Sequence, residues 1–463
     1  MPELAPVIPT TFPASKLDIW GTFLFRAGHR ADEQRHSCTD STGDYAISDS
    51  FLPNTELASR LFDALDRATR QGAGIVRDSY GQGEQAAHDI LRAAASDLGL
   101  ECAVDAIGNL MMTLPGQDRA ASAIIIGSHL DSVPQGGNFD GAAGVVAGLC
   151  AFAQLRDMGV TPSCDVTVMA IRAEESAWFD VPYLGSAGAF GLLDPAVLAV
   201  RRTDTDLTLA ETLTVNGFDV EAILDRRRLL DPARIRAYLE VHIEQGPELV
   251  GEDLPVAIVS GIRGCLRFRA ARCVGEYAHS GAVPRRHRQD AVAATVALLH
   301  HMNEYWRRIE ARGDDLVLTS GEFSTDPAMH GPSKIAGETR FVVDIRSTSD
   351  TVMTAVAAEL QAAAARIEEE YRVRFMLGQP SYSPPALMDA GLRRELSRLS
   401  DAPYEMASGA GHDAAIFAGQ GIPSAMIFIR NRNGSHNPAE AMALDDFAVA
   451  QRLLTRLLLS FPL

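Results

Sequence analysis

From residue 55 onward the chain alternates between two hydrophobic periods. Stretches 55–72 and 83–100 repeat apolar residues every three or four positions and close on glycine, which predicts two amphipathic helices. Segment 101–116 alternates at period two and predicts a strand pair. ASAIIIGSHLD (121–131) is a short apolar run flowing into a polar turn. It is followed by the helical GAAGVVAGLCAFAQLRDMG (141–159) and a second such strand, DVTVMAIRAEES (165–176). AYLEVHIEQGPEL (237–249) supplies a third strand of this kind. Apolar strands separated by helices predict parallel pairing in a sheet covered on both faces. Functional groups then gather beyond the carboxyl ends of the strands.

The texture changes between 261 and 376. Strand-like 266–281, helical 290–313, strand-like 315–323 and 339–347, and helical 351–373 predict a compact α+β sandwich. A helix at 390–401, the loop SGAGHDA (408–414), the strand PSAMIFI (423–429), the loop NRNGSHNPAE (431–440) and a closing helix return to the first texture. The expected fold is therefore α/β: a discontinuous catalytic domain (55–260 and 377–463) with a mixed, mostly parallel sheet covered by helices, interrupted by the inserted sandwich at 261–376. Residues 1–54, rich in Pro, Ser and Asp, read as an N-terminal extension with little structure of its own.

A length of 463 residues suits two domains, and 46% hydrophobic with 22% charged residues is a globular composition. The net charge of −18 argues against a nucleic-acid partner, which would need a basic stripe. Six cysteines without C-x-x-C spacing read as thiols in a reducing compartment. The first twenty residues carry no basic-then-apolar leader, and no apolar run nears the roughly 20 residues of a membrane span. A cytoplasmic protein with no membrane partner is expected.

The chemistry lies at the strand ends. In GSHLDSVPQGGNFDGAAG, His129 leaves a strand and Asp131 follows where its carboxylate can accept the imidazole N–H, the usual way a ligand histidine is oriented. Asp140 sits on the Gly-rich loop that opens the next helix. Imidazole with carboxylate suits zinc and similar metals, and a carboxylate can bridge two ions. Glu174 and Glu175 end the second strand, where the turning chain can bring both to one site, one as a ligand and one as a proton acceptor. His242 and His436 complete three histidines and three carboxylates, all at ends of expected strands or in the loops after them. That coincidence favours a metal centre over a set of solvated turns. GGNFDGAAG lacks the features of a nucleotide loop.

With DAIGNL, GSHLDSVPQGGNFDGAAGV, EES, HIEQGPEL, HSG, VDIRS, SGAGHDA and SHNPAE, the chain from about Thr55 to its end resembles the hydantoinase/carbamoylase amidases. These are the N-carbamoyl-L-amino-acid hydrolases, allantoate amidohydrolases and β-ureidopropionases of the dinuclear metallopeptidase clan. The resemblance implies two divalent ions, zinc or manganese with cobalt or nickel as further candidates. Asp140 would bridge them, His129 and His242 would hold one, and Glu175 and His436 the other. Glu174 would be the general base. His279 in YAHSG would hydrogen-bond the scissile carbonyl or oxyanion, and Arg346 in DIRS would clamp a substrate carboxylate. Gln245 and the loop around Gly411 would line the same pocket. The inserted domain would act as lid and dimerisation domain, so a homodimer is implied.

The sequence departs from the family pattern at Ser333, where Asn is usual, at Ala336, where Pro is usual, and at Trp178, where many relatives carry Arg and which would make the pocket wall more aromatic. His412 reads as a supporting residue rather than a ligand. The implied reaction is hydrolysis of a C–N bond in a small carboxylate-bearing ureido or amide compound, foremost an N-carbamoyl amino acid, giving amino acid, carbon dioxide and ammonia. An aminoacylase or peptidase acting on acyl or dipeptide substrates is the alternative. A binding protein on a retired hydrolase fold is the alternative from another class.

Overall fold

The computed structural model describes residues 52–461, so nearly all of the expected extension at 1–54 lies outside the described residues. Nine strands form the central sheet. Their order is Ala386–Leu387, Val256–Ile262, Ser424–Ile429, Ile235–Ile243, Ala123–His129, Val166–Ile171, Leu110–Leu114 and Glu101–Val104, with Glu405–Ser408 also beside Val256–Ile262. Parallel pairing joins the four strands from Ser424–Ile429 to Val166–Ile171. On the flanks Glu101–Val104 and Leu110–Leu114 form an antiparallel hairpin and Val256–Ile262 runs against Ser424–Ile429, while Glu405–Ser408 joins Val256–Ile262 in parallel.

The central strands are buried on both faces, as their unbroken apolar runs require: every residue of Val166–Ile171 and of Ser424–Ile429 is buried. On one face lie the helices Thr55–Thr69, Ala142–Asp157 and Leu444–Ser460, sharing one apolar core with the sheet. Ala142–Asp157 is apolar on nearly every side and correspondingly enclosed. Phe62 packs edge-on against Phe139 and Phe447, with ring centroids 5.1 and 5.4 Å apart. On the other face, Phe417 from Asp413–Gly419 stacks on Tyr238 at 3.7 Å and meets Phe190 edge-on.

Residues 176–234, which carry no clear periodicity, form short helical pieces, Leu184–Ala189, Leu209–Val215 and Glu221–Leu224, around a separate apolar cluster. Each is too brief to show a 3.6-residue pattern.

Through Arg263 the strand Val256–Ile262 continues directly into Gly264–Val274, the centre of a second sheet. There Glu338–Ser347 and Arg374–Met376 flank Gly264–Val274, with Val317–Thr319 outside, all antiparallel. The helices Ala291–Glu310 and Asp350–Tyr371 share with this sheet a core of their own, centred on Phe268, Phe341, Leu298 and Leu360. Ser381–Ser383 still pairs with Gly264–Val274, so this sheet continues past residue 376. No helix among the described residues is long and apolar enough to cross a membrane.

Phe447 is fully buried where three helices meet the sheet. Phe447→Ala is expected to lower unfolding free energy by about 3–5 kcal/mol, the usual range for a large aromatic removed from a core. Denaturant titration of the two proteins reads the difference directly.

Candidate metal centre

His129 is the last residue of its strand, and Ile171 closes the neighbouring parallel strand in register with it. Beyond Ile171 the chain turns sharply at Ala173, whose φ of 51° is left-handed. The turn is braced by a buried ion pair: Arg172 Nη1 donates to Glu84 Oε2 at 2.9 Å, and Glu84 Oε1 accepts the Ala173 N–H at 2.9 Å. Asp131 completes it, accepting the N–H of Glu174 on Oδ1 at 3.0 Å, and the N–H of Glu175 and hydroxyl of Ser79 on Oδ2 at 3.2 and 2.6 Å. The same carboxylate lies 3.4 Å from His129 Nδ1, which also faces the Asp131 carbonyl at 3.1 Å. His129 therefore points Nε2 away from this anchor.

His242 arrives on Ile235–Ile243. Its Nδ1 lies 2.8 Å from the Ile243 carbonyl, so Nε2 carries the free lone pair, 3.4 Å from His129 Nε2. Asp140 lies between the donor groups. Its Oδ1 is 3.1 Å from His242 Nε2 and 3.7 Å from His129 Nε2, and is buried without a well-aligned hydrogen-bond donor. Its Oδ2 is 3.3 Å from His436 Nε2, which is also 3.2 Å from Glu175 Oε1. Gly141 makes the approach feasible: it has φ +65°, and a Cβ there would sit 2.6 Å from the His129 ring.

Two groups of three donors, His129–Asp140–His242 and Asp140–Glu175–His436, thus share Asp140, with the ligand atoms of each group within 4.8 Å of one another. An orphaned carboxylate oxygen facing two imidazole lone pairs fits a cation. The mixed imidazole and carboxylate donors suit a divalent metal ion.

The charges are strongly coupled. Burial opposes the charged forms throughout, yet hydrogen bonding to Asp131 and nearby carboxylates raises the His129 pKa well above its ordinary value. Burial would likewise raise Asp140, but His242, His436 and His129 hold it well below the carboxylate range. Hydrogen bonds to Asp140 and Glu175 lift His436 to about 10. Glu174 differs: burial, reinforced by Glu175 and Asp413, pushes its carboxyl well above the usual range despite His129.

The other expected residues are spread more widely. Gln245, left-handed at φ 64°, donates to Asp140 Oδ2 at 2.9 Å, so it touches the carboxylate that the two donor groups share. Arg346 donates twice to Asp344 Oδ2, at 3.1 and 3.2 Å, and reaches from the second sheet to the Gly409 carbonyl at 3.0 Å. Gly411 lies two residues further along that loop. His279 and Ser333 are both exposed: His279 closes the short strand Ala278–His279, Ser333 stands in the turn just before the strand Lys334–Ile335 that pairs with it, and the Ser280 N–H donates to the Ser333 carbonyl at 2.8 Å. His279 Nδ1 accepts the Gly281 and Ala282 N–H groups at 3.1 Å each, leaving Nε2 as the outward donor.

Trp178 does not form an aromatic pocket wall. It is 5% exposed, donates to the Ser132 carbonyl at 2.7 Å and lies under the Arg202 guanidinium. His412 is buried edge-on against His242 and bonded to Ser408, as a supporting residue would be.

Several supports had no local signal. Glu440 Oε1 accepts the N–H groups of Phe139 and Asp140 at 2.9 and 3.2 Å, and Ser435 Oγ bonds both Glu440 and Asp140 at 2.6 Å. Fully buried Arg77 donates to the carbonyls of Leu130 and Asp140 at 2.6 and 3.2 Å. Glu440 and Ser435 fall inside the SHNPAE segment, the one clue available for them.

Residues 125–460 match peptidase family M20/M25/M40. The chain is 32% identical over 410 residues to the N-carbamoyl-L-amino acid amidohydrolase of Geobacillus stearothermophilus, covering 87% of this chain and 97% of that protein. It is 32% identical over 372 residues to the allantoate amidohydrolase of Escherichia coli (strain K12), covering 79% and 87% respectively. The crystal structure of a hydantoinase/carbamoylase family amidase from Burkholderia multivorans superposes with a TM-score of 0.78 at 28% identity, covering 88% of this chain and 98% of that one. The chain belongs to peptidase family M20/M25/M40 and, within it, to the amidases of the hydantoinase/carbamoylase type.

Proposed function

We propose that this protein hydrolyses the ureido C–N bond of N-carbamoyl amino acids, using a pair of divalent metal ions held by His129, Asp140, Glu175, His242 and His436. The observation that carries the reading is the sharing of Asp140 between two converging donor sets beside a buried, otherwise unengaged Glu174. That the enzyme is a hydrolase of non-peptide C–N bonds follows from its relatives.

Divalent ions bound there supply Lewis acidity and neutralise charge developing at the carbonyl. The chain's own groups do the rest. Glu174, fixed through its backbone N–H to Asp131, accepts a proton from the attacking water and returns it to the leaving nitrogen. The raised affinity of Glu174 for a proton suits both halves of that exchange. Arg346 meets the substrate carboxylate, and Gln245 keeps Asp140 oriented between the two donor groups. Water adds to the ureido carbonyl and the C–N bond to the amino acid breaks, so the products are the amino acid, carbon dioxide and ammonia. The outward Nε2 of His279 suits donation to an oxyanion across the interface of a homodimer. An aminoacylase reading shares this machinery and differs in releasing no ammonia.

Glu174→Gln should retain bound metal and lose turnover by about a thousandfold or more, since the proton carrier is gone while the ligands remain. Metal analysis beside an activity assay checks this, and near-normal turnover would refute the assignment. Asp140→Ala removes the shared ligand, so metal content should fall at both positions together; loss of only one ion per chain would mean that Asp140 does not bridge. Enzyme stripped with a chelator and reloaded with manganese or zinc should release ammonia from N-carbamoyl amino acids. Release of amine without ammonia, from N-acetyl amino acids or dipeptides, would favour the aminoacylase reading instead.

A further inference from the structure

Tyr183 is a polar group at the cleft that the reaction leaves unused. Its backbone is left-handed at φ 60°, a conformation that bulky side chains rarely adopt, and it is pinned there because its N–H donates to the Glu174 carbonyl at 2.9 Å. From that pin the ring packs against the Trp178–Phe179 cluster and the hydroxyl reaches the loop after Ser408. A Cβ added at Gly411 would lie 1.7 Å from the Tyr183 oxygen, so the glycine leaves the space that the phenol tip requires.

The hydroxyl makes no hydrogen bond to any described residue and is not sealed from solvent. Burial, with Glu174 and Asp413 nearby, raises its pKa well above the ordinary phenol value, so it stays protonated and able to donate. Two residues along the same loop, the Gly409 carbonyl accepts from Arg346. Tyr183 is thus tethered to Glu174 at the reacting end of the cleft, and its tip touches the loop that holds Arg346 at the carboxylate end.

We propose that the Tyr183 hydroxyl hydrogen-bonds the substrate between its scissile carbonyl and its carboxylate, selecting amino-acid derivatives with a polar group on the carbon beside the carboxylate. This rests on the proposed function for the direction in which substrate lies. A phenol facing an apolar substituent would lose its water without replacement, which penalises such substrates; a side-chain amide or hydroxyl restores the bond. A neutral group held by packing and a backbone pin also discriminates without adding charge to a cleft already crowded with carboxylates.

The test compares wild type with Tyr183→Phe on two substrates of nearly equal shape, N-carbamoyl-L-asparagine and N-carbamoyl-L-leucine. Wild type should favour the asparagine derivative, and the variant should lose that preference by roughly tenfold or more, mainly through KM, because one directed hydrogen bond is removed. Melting temperature and metal content serve as controls for a purely structural effect. An unchanged asparagine-to-leucine ratio in an active variant overturns the inference while leaving the amidase reading intact. If wild type turns over only the N-acetyl analogues of the same two amino acids, the ureido reading fails; the ratio is then read on those analogues and still decides the role of Tyr183.

Discussion

Two neighbouring parallel strands end at His129 and Ile171, and the carboxylate of Asp131 ties together the two turns that leave them. One oxygen accepts the Glu174 N–H and the other accepts the Glu175 N–H and the Ser79 hydroxyl, while the imidazole of His129 lies against the same group. Two proposed metal ligands and a proposed proton carrier therefore take their positions from one anion. Without it, two adjacent glutamates at a strand end would point to opposite faces and only one could serve the site. The positive φ at Ala173 is the conformational cost of turning both inward, offset by the buried Arg172–Glu84 pair beneath.

The site gathers many carboxylates in a region of low polarity, which is stable only where positive charge answers them. Arg77 and Arg172 answer from below, through carbonyls and Glu84 respectively. On the open side, the answering charges are the imidazoles of His129, His242 and His436, or cations held between them. The direction of the pKa shifts is the same fact seen from each residue: histidines that hold protons tightly and an Asp140 that gives its proton up. Metal affinity and the electrostatics of the fold are two expressions of one requirement.

The proposed site positions were legible where an apolar strand gives way to a histidine or an acid, as at His129, which ends its strand, and at Glu174, just beyond Ile171. The supporting residues were not, because nothing local distinguishes them. Glu84 stands in the first turn of an amphipathic helix and reads as a solvated acid, yet it is buried against Ala173, far along the chain. Arg77, Tyr183 and Glu440 likewise gain their meaning only from contacts that the fold creates. Trp178 shows the converse. It stands where many relatives carry Arg, which marked it for the pocket wall, but the indole is spent on packing and on the Ser132 carbonyl. The short helices of 176–234 escaped notice because too few residues repeat in each. The sheet is parallel at its centre and again where Glu405–Ser408 joins Val256–Ile262, while the edge carrying the hairpin of Glu101–Val104 and Leu110–Leu114 pairs antiparallel.

Arg346 is already committed before any ligand arrives. Its guanidinium spends three of its five N–H groups on Asp344 and the Gly409 carbonyl. In the proposed role, an incoming carboxylate has two N–H groups of the guanidinium left to meet, and takes a third only by trading places with the Gly409 carbonyl on Nη1. The binding energy realised from that third contact is then the difference between two hydrogen-bonded states, smaller than a free arginine would give. The same exchange run backwards lets the product amino acid depart, since the carbonyl of the loop is waiting to take its place. A clamp built this way recognises its ligand without retaining it, and repeated turnover needs both.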